Sequence, residues 1–80
     1  MSCELFFREG CHLCEDMINQ LRELFPEMVF QLQNVDTNPQ WFNDYNDKVP
    51  FLKCGDEILS QYFLEPDKIR KHFNGQYQAD

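Results

Sequence analysis

The sequence predicts an α/β domain in which a four-stranded mixed sheet is flanked by three helices, in the chain order βαβαββα. Three observations carry this reading. Short aromatic runs alternate with stretches of helical spacing, the pattern of strands followed by covering helices. The last two strand-like runs are separated only by Gly55-Asp56, a hairpin signal. The chain has 80 residues, which is one domain, spanning 1–80, with a thin margin of stability.

Taken in order, residues 3–8 are short and aromatic and stop at Glu9-Gly10, so they read as a first strand. From Cys14 onward, Met17, Ile18, Leu21, Leu24 and Phe25 recur at helical spacing, and Pro26 closes that helix. Residues 28–35 return to strand chemistry, with Phe30 and Leu32 alternating against Gln31 and Gln33. The first two strands are expected to be parallel, joined by a right-handed crossover. Asn38-Pro39 is a helix start, a cap followed by proline, and Trp41, Phe42 and Tyr45 are expected to face inward from it. Residues 49–54 and 57–63 form the hairpin. Glu65-Pro66 opens a last helix with Ile69, His72 and Phe73 along one side, Gly75 suits its C-terminal cap, and the tail beyond is expected to be loose.

Composition excludes several classes of function. Eight Phe, three Tyr and one Trp supply a core and argue against disorder. A formal charge of −7 disfavours nucleic acid and anionic membrane surfaces as partners. No apolar run approaches the ~20 residues of a membrane span, and the N-terminal residues lack the pattern of a secretory signal, so a cytoplasmic, monomeric protein is expected. In that setting four cysteines, at 3, 11, 14 and 54, point to redox chemistry or a metal site rather than a disulfide framework.

Cys11-His12-Leu13-Cys14 joins the first strand to the first helix. Placement matters more than the spacing, because a helix N-terminus favours an anion and a thiolate is the nucleophile of thiol–disulfide exchange. Cys11 is therefore the candidate nucleophile. Cys14 starts the inward stripe and is the candidate resolving cysteine. His12, if protonated, would further favour the Cys11 thiolate. Glu9, Glu15 and Asp16 oppose the helix terminus, so the Cys11 pKa is expected to fall only modestly, to about 6–8. That acidic cluster reads first as solvated charge, and otherwise as a preference for basic partners.

A first strand ending in Arg8, then Gly-Cys-His-Leu-Cys-Glu-Asp, then Val49-Pro50-Phe51-Leu52, resembles the glutaredoxin-like branch of the thioredoxin superfamily. It is similar in particular to small bacterial members carrying Cys-His-Leu-Cys, over residues 3–74. The resemblance implies a thioredoxin-like fold and a dithiol oxidoreductase with no bound cofactor and no metal. It implies that Pro50 is cis beside the redox cysteines and that Val49 offers backbone hydrogen bonds to substrate. Arg8 and Asp67 are further candidate substrate-binding residues, Arg8 standing roughly where relatives carry Lys. The departures concern glutathione. His12-Leu13 replaces Pro-Tyr, and Tyr62-Phe63-Leu64-Glu65-Pro66-Asp67 lacks the glycines of the turn that holds the γ-glutamyl group. Glutathione stays open as the reductant, alongside a disulfide-containing protein or another small thiol as partner.

If the first and third strands are antiparallel neighbours, as in that fold, Cys3 lies near Cys54 at the sheet end remote from Cys11. Two free, buried, hydrophobic thiols are the expectation, and a redox-sensitive pair is the alternative. His72 reads as structural. Zinc needs four ligands, commonly two close pairs, and the sequence offers one. The competing functions are a redox-inactive binding or adaptor domain and, third, a metal-binding module.

Overall fold

The computed structural model describes residues 3–73, and the cap expected at Gly75 and the loose tail expected beyond it lie outside the described residues. The order is β1 (Cys3–Phe7), α1 (His12–Leu24), β2 (Gln31–Asn34), a 3-10 turn at Val35–Thr37, α2 (Pro39–Tyr45), β3 (Phe51–Cys54), β4 (Glu57–Gln61) and α3 (Pro66–His72). The strands lie in the order β2-β1-β3-β4. β1 runs parallel to β2 and antiparallel to β3, and β3 is antiparallel to β4. This is the mixed sheet the sequence predicts. No helix among the described residues is long and apolar enough to cross a membrane.

Because side chains alternate across a strand, the sheet has two different faces. Cys3, Leu5, Leu52, Cys54 and Leu59 pack with Met17, Leu21 and Phe25 of α1 and its cap and with Ile69 of α3. Each such side chain, buried to a few per cent exposure, contributes about 1.5–3 kcal/mol. On the other face Phe6 stacks on Phe51 with ring centroids 4.6 Å apart, and Val35, Trp41, Tyr45 and Val49 close around them.

Three expectations are corrected. Phe42 does not face inward: it stays 39% exposed, because successive helical residues point about 100° apart and Trp41 and Tyr45 take the inward side. Leu32 is 40% exposed, since β2 is an edge strand and its four residues are shorter than the run 28–35. Cys3 and Cys54 are buried as expected but are not free. They are register partners in the β1–β3 ladder and are joined by a disulfide, because directly opposite residues of an antiparallel pair bring their Cβ atoms side by side.

The hairpin turns at Gly55, whose φ of 61° suits glycine. β4 ends at Gln61 rather than 63 because Tyr62 takes φ 67° and turns the chain. α2 is capped as predicted, with the Asn38 side chain accepting from the N–H groups of Gln40 and Trp41 at 3.0 and 3.3 Å. His72 is structural: its Nδ1 lies 2.8 Å from a Glu57 carboxylate oxygen, tying the end of α3 to β4.

The disulfide spans a sequence separation of 51, and closing so long a loop in the unfolded chain is worth roughly 4 kcal/mol in the chain-entropy model. Replacing Cys3 and Cys54 together by Ala is expected to lower stability by about 2–4 kcal/mol, read as a fall in the urea midpoint. An unchanged midpoint would show that the bond contributes nothing to stability.

Candidate active site

β1 ends at Phe7, and the turn to α1 passes through Gly10 at φ 76°. No atom lies within 4 Å of where a Cβ would sit at Gly10, so it is backbone conformation and not space that calls for glycine there. The turn delivers Cys11 as the N-cap of α1, in an extended conformation. Its sulfur accepts the Cys14 backbone N–H at 3.2 Å, and its carbonyl accepts the N–H of Glu15 at 3.1 Å. The side chain thus does what a Ser or Asp cap does elsewhere.

Cys11 is half-buried and Cys14 fully buried, and both are thiols. Burial pushes the Cys14 thiol from an ordinary 9.0 up to about 12, because desolvation disfavours the thiolate. That rise is a net one: the neighbouring Cys11 side chain adds to it, while a backbone hydrogen bond from Arg8 and that residue's charge pull the other way.

Beside Cys11 lies an open cleft of about 440 Å³. Residues 8–11 form one side, and Asn46, Asp47 and Val49 the other. The Val49–Pro50 peptide bond is cis, and Pro50 is buried beneath this wall. Tyr62 braces it, its N–H donating to the Pro50 carbonyl at 2.7 Å and its hydroxyl to the Asp47 carbonyl at 2.8 Å. A larger depression of about 560 Å³ between β4 and α3 contains neither cysteine.

The structure thus brings Arg8, Cys11 and Val49 to one cleft, with Cys14 and Pro50 behind it. It leaves two other candidates elsewhere. The His12 side chain is 96% exposed and pairs with Glu15 at 3.8 Å. Asp67 is 91% exposed, pairs with Arg70 at 2.9 Å, and is no part of the cleft wall. The start of α3 has little to offer an anion. The Glu65 N–H donates to Ser60 Oγ at 2.9 Å, Pro66 has no N–H, and the N–H of Lys68 turns back to the Glu65 carbonyl.

Asp36, Phe42, Asp47 and Tyr62 also bear on the site, although the sequence assigns none of them to it. Arg8 Nε lies 3.1 and 3.3 Å from the two Asp36 carboxylate oxygens, and the guanidinium sits 5.1 Å from the centre of the Phe42 ring. These partners are distant in sequence and carry no local signal. The one available hint was that an Arg at a strand end in so acidic a chain would find a carboxylate.

The family model described as Glutaredoxin-like domain (DUF836) matches residues 2–74. Protein Ne2328 from Nitrosomonas europaea, known from a solution NMR structure, is 39% identical, over 89% of this chain and 88% of that one, with a TM-score of 0.75. The glutaredoxin-like protein NrdH-redoxin from Escherichia coli is 21% identical over 89% and 93% of the two chains, with a TM-score of 0.67. Thioredoxin 1 from Thermosipho africanus is 14% identical over 92% and 96%, with a TM-score of 0.62. At such identities the last two show the fold alone, and that fold is thioredoxin-like. No curated protein sequence matches the chain.

The raised Cys14 pKa has a consequence for stability. Between about 9 and 12 the folded chain keeps a proton that the unfolded chain has lost. The contribution is therefore complete below pH 9 and is lost as pH rises toward 12. Urea titrations of the reduced protein are expected to show this decline, and to show less of it in Cys14→Ser. An equal decline in the variant would assign it to other groups.

Proposed function

We propose that this chain, which belongs to the glutaredoxin-like domain family, is a dithiol thiol–disulfide oxidoreductase with Cys11 as nucleophile and Cys14 as resolving cysteine. The observation that carries the reading is the sulfur cap. An accessible Cys11 sulfur at a helix N-terminus accepts the N–H of a buried cysteine one helical turn on. The same contact that starts the helix stabilises negative charge on the attacking atom.

The reaction has two steps. The Cys11 thiolate attacks one sulfur of the partner's disulfide, forming a mixed disulfide and releasing the other sulfur as a thiolate. Cys14 then gives up its proton and attacks the Cys11 sulfur, and the second partner sulfur leaves as a thiolate. The partner gains two electrons and, after protonation, becomes a dithiol, while the chain ends with a Cys11–Cys14 disulfide. Burial suits Cys14 to its part, since a thiol held protonated does not compete for the partner's disulfide. It becomes a nucleophile only when the mixed disulfide lies beside it.

Val49 supports the first step from across the cleft, where its backbone can pair with an extended segment of the partner as an added strand would. Arg8 shapes that wall through Asp36 rather than by meeting substrate. His12 contributes a positive charge near the helix start when protonated, and Asp67 has no part. The partner is a disulfide-bearing protein or small molecule, and two thiols or one dithiol from a reducing compartment such as the cytoplasm return the two electrons and end as a disulfide.

The test is equilibration of the chain across a glutathione redox series with mass-spectrometric readout. A reversible Cys11–Cys14 disulfide is expected. Cys14→Ser is expected to accumulate an adduct on Cys11, and Cys11→Ser to lose exchange by at least about 10³-fold. If neither cysteine responds, the chain is a thioredoxin-shaped binding domain instead.

A further inference from the structure

We infer that the Cys11 cleft selects its partners by charge, taking cationic disulfides and thiols over anionic ones, with Glu9 and Asp47 as the selecting residues. The inference rests on the exchange reading above. Arg8, Glu9 and Asp47 are the charged side chains that line the cleft. Arg8 is where a partner's carboxylate would sit, and the position is taken. Its Nε faces both oxygens of Asp36 at 3.1 and 3.3 Å, and its guanidinium covers Phe42. An incoming carboxylate would have to displace one already in place, with no gain in ion pairs.

Glu9 and Asp47 are in the opposite condition. Both are exposed, and neither carboxylate has an ion-pair partner among the described residues. They stand on opposite walls of the cleft that opens on the Cys11 sulfur. Lys48, next in the chain after Asp47, does not line it. The cleft therefore presents two uncompensated negative charges around a third that forms on Cys11 during reaction.

A second observation fixes Asp47 in place. Tyr62 adopts φ 67°, a conformation that costs a bulky residue energy. In it, Tyr62 holds the Asp47 carbonyl by its hydroxyl and the Pro50 carbonyl by its N–H. The loop that carries Asp47 is thus held by a strained residue whose two hydrogen bonds both end on the cleft wall. The partner that fits is a polypeptide with Lys or Arg flanking its disulfide. Glutathione, with two carboxylates and one ammonium, falls on the disfavoured side.

The test uses Cys14→Ser, which stops at the mixed disulfide, and three small symmetric disulfides of different charge. Cystamine is cationic, bis(2-hydroxyethyl) disulfide neutral and dithiodiglycolate anionic. Adduct formation on Cys11 is timed by mass spectrometry, and each rate is divided by that of the same disulfide with 3-mercapto-1-propanol, a neutral thiol different from those of all three probes, which removes intrinsic reactivity. At about 10 mM salt the normalised rates are expected to fall about fivefold from cation to neutral and about fivefold again to anion. Near 1 M salt, where the screening length is about 3 Å, the spread is expected to close to within about twofold.

Adding Glu9→Gln and Asp47→Asn is expected to cut the cation-to-anion ratio to below about fivefold. The ratio is the readout because a general loss of Cys11 reactivity cancels in it. Glu23→Gln with Glu27→Gln changes net charge equally near the far end of α1, about 17 Å along the helix at residue 23, and is expected to keep the ratio. Equal normalised rates, or a control pair that flattens them as much, would overturn charge selection by the cleft and leave exchange standing. No adduct with any disulfide would overturn the exchange reading, and this inference with it.

Discussion

The hydrogen bond from the Cys14 backbone N–H to the Cys11 sulfur is the contact on which the rest of the site depends. A helix start must satisfy its first N–H groups, and oxygen-bearing side chains usually do this. Here a sulfur does it, and a thiolate accepts far better than a thiol. On the proposed reading, helix initiation and nucleophile activation are therefore one event at one atom. The arrangement also demands what lies on either side of it. Gly10 in the left-handed region lets the strand turn into the helix. The buried stripe of α1, which begins at Cys14 and continues through Met17 and Leu21, seats the helix on the sheet with the Cys14 side chain inward.

The second constraint is the register of β1 against β3. A slip of β1 by one residue would turn its side chains over, sending Leu5 toward the aromatic cluster and Phe6 toward α1 while Leu52 and Phe51 stayed in place. It would also dismantle the site, because β1 runs into Arg8 and the Cys11 turn, and Val49-Pro50 leads into β3. The Cys3–Cys54 bond closes the opposite end of that ladder. One pair of cysteines thus pins the register that positions the other. The two pairs differ in access as they differ in role, since Cys3 and Cys54 are 3% and 0% exposed while Cys11 opens on the cleft.

Much of this was legible in the sequence where one side chain and its near neighbours decide the outcome. The capping Asn38-Pro39, the Gly55-Asp56 turn and the apolar stripe from Cys14 are all local, and all lie where the pattern puts them. What was not legible depends on pairs far apart. Nothing near Arg8 announces Asp36, 28 residues on, and nothing near Asp47 announces the Tyr62 hydroxyl. Phe42 was misread because its inward or outward aim depends on the phase of a helix of seven residues, where two of three adjacent aromatics suffice to fill the face. The fate of Cys3 and Cys54 turns on chemistry rather than placement, since the resembled fold implies that they are neighbours but not that their sulfurs join.

The chain's acidity bears on the order of events at the site. Fourteen acidic residues stand against seven basic ones, and the cation at the cleft is already neutralised by Asp36. A site so poor in positive charge can hold one thiolate at a helix terminus, but two adjacent thiolates would repel each other as well as Glu9 and Asp47. Keeping Cys14 buried and protonated avoids that state. In the proposed reaction the cost moves to the resolving step, in which Cys14, buried at 1% exposure, must lose its proton. Cys11 by then is bound in a neutral mixed disulfide, so its charge no longer opposes that loss. A partner carrying positive charge beside its own sulfur would ease it further, by offsetting the cleft carboxylates and by stabilising the thiolate that departs. In the proposed reaction, burial of one cysteine and the charge of the cleft thus act on the same two steps, and a cationic partner would ease the cost of both.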